Sequence, residues 1–291
     1  MDKCNQMTTK EKLASYVRHP GSMALLLLVV LASLITFAVL IFIVAYILIK
    51  GIPNLTPELF SITYNSENAS LLPALINTVI MVAVALLLAV PLGIFSAIFL
   101  VEYARRGNKF VNVIRVTAET LSGIPSIVYG LFGMLFFGKV LGISYTMLSG
   151  AFTVAIMILP LIMRSTEEAL KAVPDSYREG SYGLGAGRLR TVFRIVLPSA
   201  IPGILAGVIL GIGRIVGETA ALMYTAGTVP QVAGTLLTSG RTLAVHMYVL
   251  SGEGLYVNQA YATAVVLLLL VVGINLLSAQ AAKGLKKKAG A

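Results

Sequence analysis

Cysteine occurs once, at Cys4, and histidine twice, at His19 and His246. A single thiol builds no disulfide, no iron–sulfur cluster and no cysteine zinc site. The two histidines fall on opposite sides of the topology derived below and cannot share a metal. No Gly-Lys-Ser or Gly-Lys-Thr occurs anywhere, so the chain cannot bind ATP in the P-loop manner. Its glycine clusters do not replace that loop. Gly183-Leu-Gly185-Ala-Gly187 has neither the spacing of a dinucleotide fingerprint nor a strand before it, and Gly211-Ile-Gly213-Arg-Ile-Val-Gly217 lies inside an apolar run. No Ser-His-Asp arrangement and no carboxylate pair survives the topology, so no catalytic site, metal site or bound cofactor is expected. Low-complexity segments, fixed-period repeats and the alternating ten-residue segments of a membrane barrel are also missing.

What is present is hydrocarbon. Apolar residues make up 57% of the 291 and charged residues only 12%, a composition foreign to soluble domains. About 20 apolar residues cross a hydrocarbon core of about 30 Å, and several stretches reach that length. The expected fold is all-α and polytopic, with six transmembrane helices. A polar segment, 1–20, precedes span one, Ala24 to Ile49, which is too long for a secretory leader. Residues 21–70 comprise that span and a loop carrying Pro53, Asn54, Pro57, Glu58 and Glu67, with no basic residue after Lys50. Span two runs from about Leu72 to Leu100, with Pro91 and Gly93 as a kink. Phe110 to Leu121 reads as an interfacial helix, with Arg115 and Glu119 four apart. Span three starts at Ser122-Gly-Ile-Pro125 and runs to Phe137; span four is Met147 to Met163; span five is Ala200 to about Tyr224. The mixed segment 225–258 is expected to stay outside or fold back partly into the bilayer. Span six is Ala260 to Leu277, and the core domain covers 71–281, followed by a basic tail, 282–291.

The lysines and arginines sort by loop. With the N-terminus inside, the inner segments hold Lys3, Lys10, Lys12, Arg18, Arg105, Arg106, Lys109, Arg115, Arg164, Lys171, Arg178, Arg188, Arg190, Arg194, Lys283, Lys286, Lys287 and Lys288. Only Lys50, Lys139 and Arg241 fall outside, and Arg214 lies within a span. Cytoplasmic loops carry such an excess, so both termini are expected in the cytoplasm. The net charge of +10 then reports topology and contact with anionic lipid, and is not a nucleic-acid footprint.

The longest inner loop, about 164–198, contains Glu179, Gly185, Ala186, Ile195, Leu197 and Pro198. Pro174 and Asp175 offer a helix start, Ser176 to Tyr182 a body, and Gly185 a left-handed stop. Arg188 to Val196 would return to the membrane with Val192, Ile195 and Val196 on one apolar side, and Pro198 would open span five. Such a protruding helix can seat in a partner groove, anchored by Tyr177 or Tyr182 and bordered by Arg178 and Glu179. An ordinary solvated basic loop explains the arginines equally well, but not the spacing.

That spacing resembles the cytoplasmic coupling loop of type I (MetI-like) ABC importer permeases, matched at Glu179, Gly185, Ala186, Ile195, Leu197 and Pro198. Gly180 and Ser181 stand where the family pattern has alanines, and Leu184 where an aspartate is frequent. Three further segments are similar to the phosphate-specific (Pst) branch and its PstA-like permeases: Asn77-Thr-Val-Ile-Met with Pro91-Leu-Gly-Ile and Glu102-Tyr; Ser122-Gly-Ile-Pro125-Ser-Ile-Val-Tyr-Gly130; and Gly213-Arg214-Ile-Val-Gly217-Glu218-Thr-Ala. The resemblance covers roughly residues 70 to 280. It implies a subunit that moves inorganic phosphate across a bacterial or archaeal cytoplasmic membrane by alternating access. The partners it implies are a second permease (PstC-like), a pair of ATPase subunits (PstB-like) that bind ATP and magnesium, and an external phosphate-binding protein (PstS-like).

Span five has its own physics. At about 100° per residue, Gly203, Gly207, Gly211, Arg214 and Glu218 fall within about 80° of one another on a helix. Glycines at every fourth position admit a close neighbour helix, and a charge within a span must face protein or water. Arg214, about 24 Å of rise beyond Pro198, could hold an oxyanion by its fork, with Glu218 balancing it when empty. A structural salt bridge between the two is the competing reading. A permease for another oxyanion such as sulfate or molybdate, an ion-driven secondary transporter and a membrane scaffold remain as alternatives.

Overall fold

A computed structural model describes residues 20–105 and 107–288, with side chains for 21–105 and 107–280. Cys4, His19 and the other residues of 1–19, Arg106 and 289–291 lie outside the described residues, and the basic tail is described only as backbone, to Lys288.

The first helix, α1 (Pro20–Gly51), belongs up to Lys50 to a unit of its own, and the chain from Gly51 onward forms a second. No part of the most apolar stretch of α1 is buried. A helix apolar all round needs lipid or protein about it, not water. Two short 3₁₀ turns, Ile52–Asn54 and Pro57–Phe60, lead into the second unit.

The second unit is built around α5 (Met147–Lys171). On one side lies α2 (Leu72–Ile98), which ends in a π turn, Phe99–Tyr103. On the other lies α8 (Leu197–Val216), the continuation of α7 (Arg188–Thr191) through a second π turn, Val192–Val196. Small residues set these approaches. A Cβ at Gly93 would meet Ile162 Cγ2 at 2.8 Å, and one at Gly203 would meet Ala169 Cβ at 2.6 Å. Met81, Ala85 and Ala89 of α2, Val154, Ile158 and Ile162 of α5, and Ile215 of α8 close into one buried cluster. Along the chain between α2 and α5 come α3 (Lys109–Ser122) and α4 (Ser126–Gly133), the latter continuing as a π turn, Met134–Val140. The helix α6 (Asp175–Gly183) follows α5, and α9 (Ala220–Thr225), α10 (Leu243–Glu253) and α11 (Val257–Lys288) complete the chain.

Among the described residues five helices are long and apolar enough to cross a membrane, and six spans result if the bent pair α3 and α4 counts as one. That pair follows the expected plan, a separate helix ahead of a new start at the Gly-Ile-Pro break. The axis turns by 101° at the Gly123-Ile124-Pro125 break, so span three starts at Ser126 and leans on α3. Tyr129 bridges the bend by donating to the Leu121 carbonyl at 2.8 Å. Three boundaries also move. The helix of span four continues past Met163 to Lys171. The helix of span five starts earlier than Ala200: α8 opens at Leu197 with Pro198 in its first turn, as expected, and it continues the return segment 188–196 through the π turn just ahead of the proline. At its far end the helix stops at Val216, because Gly217 occupies the C-cap and α9 restarts at Ala220.

Residues 226–242 form no regular element, yet they are tied down. Asn77 of α2, fully buried, donates to the carbonyls of Gln231 and Arg241 and accepts from Ala233 N–H at 2.9 Å. The carbonyls of Thr238 and Leu236 receive the Met147 and Leu148 N–H groups at 3.0 and 2.8 Å, supplying partners for the unpaired donors that open α5.

Candidate functional site

The loop after α5 is a helical hairpin. Pro174 precedes Asp175, which places a carboxylate in the first turn of α6, favourable against the helix dipole. The other end is a Schellman stop: Gly185 N–H donates to Tyr182 O at 2.9 Å, Ala186 N–H to Ser181 O at 3.1 Å, and Gly185 takes φ +80°. Ser181 and Thr191 then hydrogen-bond to each other through their hydroxyls at 2.8 Å, both buried, seating α6 against α7. Ser181 is therefore a working position where the family pattern carries alanine.

The hairpin presents Glu179, Tyr177 and Tyr182 outward, all exposed, and Leu184 is 91% exposed. Glu179 has no ion pair among the described residues. On the returning helix Val192 and Val196 are buried, Ile195 and Leu197 half-buried and Pro198 exposed. Arg178 does not border this outer face. Its side chain, 14% exposed, turns inward to Glu102 at 2.7 Å and to the carbonyls of Leu170 and Val173. The Glu102 hydrogen bond holds the guanidinium charged beyond its ordinary range, against the opposing effect of burial.

The glycine face of α8 packs as its spacing predicts, and its neighbour is α5 of the same chain: Gly203 lies on Ala169, Gly207 on Ser165 and Gly211 near Ile162. Arg214 and Glu218, however, do not share this helix. Glu218 lies beyond the end of α8, buried, and its carboxylate accepts from Ala221 N–H at 3.0 Å, capping α9. Among the described residues the two form no ion pair. A carboxylate that can cap a new helix after a glycine outweighs one more turn of the old one.

Arg214 instead reaches a cavity of about 380 Å³ between α3, α5 and α8. Four cations line it, Arg115, Arg164, Lys171 and Arg214, against three carboxylates, Glu119, Glu167 and Glu168. Glu167, 8% exposed, takes both Arg115 at 2.7 Å and Lys171 at 2.6 Å. Arg164 contacts Glu168 at 3.5 Å and Glu119 at 3.8 Å, and both pairs are largely exposed and weak. Arg214 has no carboxylate within ion-pair reach among the described residues. The cavity thus carries one cation more than its carboxylates balance, suited to an anion. Sequence reasoning found Arg214 but not its companions. Arg115 and Glu119 sit four apart on α3, yet each pairs with α5, and only the bend brings the two helices together.

Comparison with known proteins agrees with this architecture. Residues 89–288 match the family described as binding-protein-dependent transport system inner membrane component. A Bacillus subtilis protein, "Probable ABC transporter permease protein YqgI", is 36% identical over 241 residues, covering 77% of this chain and 81% of that one. "Phosphate transport system permease protein PstA" of Haemophilus influenzae is 34% identical over 223 residues, 76% and 78% of the two chains. Its namesake from Mycobacterium leprae is 35% identical over 209 residues, 71% and 68%. Among solved structures, a bacterial alginate ABC importer superposes with a TM-score of 0.63 at 17% identity, covering 93% of this chain and 99% of that one. The MetNI methionine ABC transporter superposes with 0.56 at 20% identity, covering 73% and 93%; both likenesses concern the fold alone.

Proposed function

This chain belongs to the family of binding-protein-dependent transport system inner membrane components, and we propose that within it the chain is a permease subunit of an ATP-driven importer of inorganic phosphate in the cytoplasmic membrane. Similarity to phosphate permeases over most of both chains supports that substrate more than any other observation. The cavity beneath Arg214 fits the same reading, because an arginine fork with no carboxylate of its own can take two oxygens of a tetrahedral anion.

A phosphate delivered from outside by a binding protein enters between this chain and a second, homologous permease. The path then switches by alternating access. The permease makes and breaks no bond to its cargo. ATP and magnesium belong to a pair of partner ATPase subunits, whose surface receives α6 through Tyr177, Glu179 and Tyr182. Nucleotide closure pushes the hairpin, the hairpin moves α8, and hydrolysis returns the path to the inward state. Gly185 and Ala186 keep α6 short, and Ile195, Leu197 and Pro198 carry the chain from the hairpin into the span.

Uptake of labelled phosphate by vesicles holding the assembled complex tests this reading. Accumulation that requires ATP and the binding protein, and that excess sulfate does not compete, is expected. Accumulation driven by an ion gradient without ATP contradicts it.

A further inference from the structure

Arg178 and Glu102 are used by nothing in the mechanism so far; Glu102 is buried and Arg178 half-buried, where charge is expensive. The guanidinium makes contacts to three different elements. Nη2 and Nε donate to Glu102 Oε1 at 2.7 and 3.2 Å, in the π turn that ends α2. Nη2 also donates to the Leu170 carbonyl at 2.9 Å, and Nη1 to the Val173 carbonyl at 2.8 Å, the last turn of α5 and the residues after it. A fourth acceptor, Asp175 Oδ1 at 3.2 Å, lies on α6 itself. The Glu102 side chain is 5% exposed. Beneath the pair, Leu100, Val111, Leu170, Val173, Val192 and Val196 form a buried apolar cluster.

Exposed ion pairs hold little together, whereas a buried pair with its remaining donors satisfied by carbonyls is geometrically rigid. The helix α6 has only nine residues. It is joined to α7 by Ser181 and Thr191, to α5 by the short segment 172–174 and by Arg178, and to α2 through the Arg178 side chain. A push on its outer face therefore has two exits, one into α8 and one into α2 and α5 together.

We propose that Arg178 and Glu102 are positioning residues that carry motion of the hairpin helix α6 into the spans α2 and α5, so that ATP-driven displacement moves three spans and not one. This rests on the importer reading above. Neither residue lies on the outer face of α6, so their loss should spare docking of the ATPase and change what docking accomplishes.

The test uses the complete complex in proteoliposomes, scoring phosphate moved per ATP hydrolysed. Glu102→Ala and Arg178→Gln should co-purify with the ATPase as the wild type does and keep basal hydrolysis within about two-fold, while phosphate moved per ATP falls by about ten-fold or more. Arg178→Lys, a point charge that cannot fork, should fall between. In a Cys4→Ser background, Glu102→Cys with Arg178→Cys should be as defective until joined by a reducible bifunctional thiosulfonate, then regain at least half the wild-type ratio, and lose it on reduction. A wild-type ratio in the assembled single variants overturns the proposal, and so does a crosslink that restores nothing. Failure of every variant to assemble, crosslinked or not, also overturns it, because the pair is then only a clamp. The wild-type complex in the same vesicles reads the parent hypothesis separately: ATP hydrolysis without phosphate movement contradicts the importer reading, however the variants behave.

Discussion

Arg214 is the cation that the cavity leaves without a carboxylate, and its replacement discriminates best at the level of single side chains. Arg214→Gln keeps the length and removes the charge. Phosphate uptake is expected to fall at least ten-fold while the complex still co-purifies with its ATPase; unchanged uptake would remove Arg214 from the path. Gly207 makes a steric claim instead, since any Cβ there collides with Ser165. Gly207→Val should destabilise the helix pair by about 1–3 kcal/mol, read as a lower unfolding midpoint in detergent. His246 makes a claim about pH. Burial, then the neighbouring Arg241, pushes its pKa from 6.5 down to about 3, with a backbone contact to Ala69 opposing. The folded chain keeps this ring neutral while the unfolded chain protonates it below pH 6.5, so its contribution is intact above that pH. It drains away as pH falls toward 3, with a slope of about 1.4 kcal/mol per pH unit. Between pH 7 and pH 4 the denaturant midpoint of the wild type should fall more steeply than that of His246→Leu, which lacks this part of the slope; parallel curves would contradict it.

At the scale of elements, the ends of the hairpin and the break between α3 and α4 are the most legible in the sequence, and the partners that elements take across the fold are the least. Pro174, Asp175 and Gly185 mark the ends of α6 through proline geometry, helix electrostatics and a left-handed backbone, all local effects written in a few residues. The inward turn of Arg178 was not legible. Its partner is 76 positions away, and nothing local distinguishes it from the solvated arginines around it. Glu218 was misplaced for a related reason. Periodicity continues a helix until something stops it, and the stop here is a competition between one more turn and the capping of α9. The glycine face of α8 was read correctly, but only packing identified α5 as its neighbour. Gly185 provides the element-scale test. A valine at φ +80° carries strain of about 1–3 kcal/mol and unseats the stop, so Gly185→Val should assemble poorly or lose substrate-stimulated ATP hydrolysis. Retention of full stimulation would show that the turn does not shape the docking surface.

Across the whole molecule, apolar runs fixed the number of spans to within the one ambiguity that the α3 and α4 bend creates. Loop charge gives the expected orientation, because cations distribute by topology and not by fold. The cavity resisted sequence reasoning: it exists only where α3, α5 and α8 meet, and its seven charged residues are spread from Arg115 to Arg214. Under the proposed function, such a cavity and the exposed hairpin belong to a machine whose motor is another chain. The direct measurement is phosphate accumulation in proteoliposomes containing the purified complex, with ATP on the hairpin side and loaded binding protein on the other. ATP-dependent accumulation that disappears with Arg214→Gln is the predicted result, and accumulation that proceeds without ATP, or that the substitution leaves untouched, would contradict it.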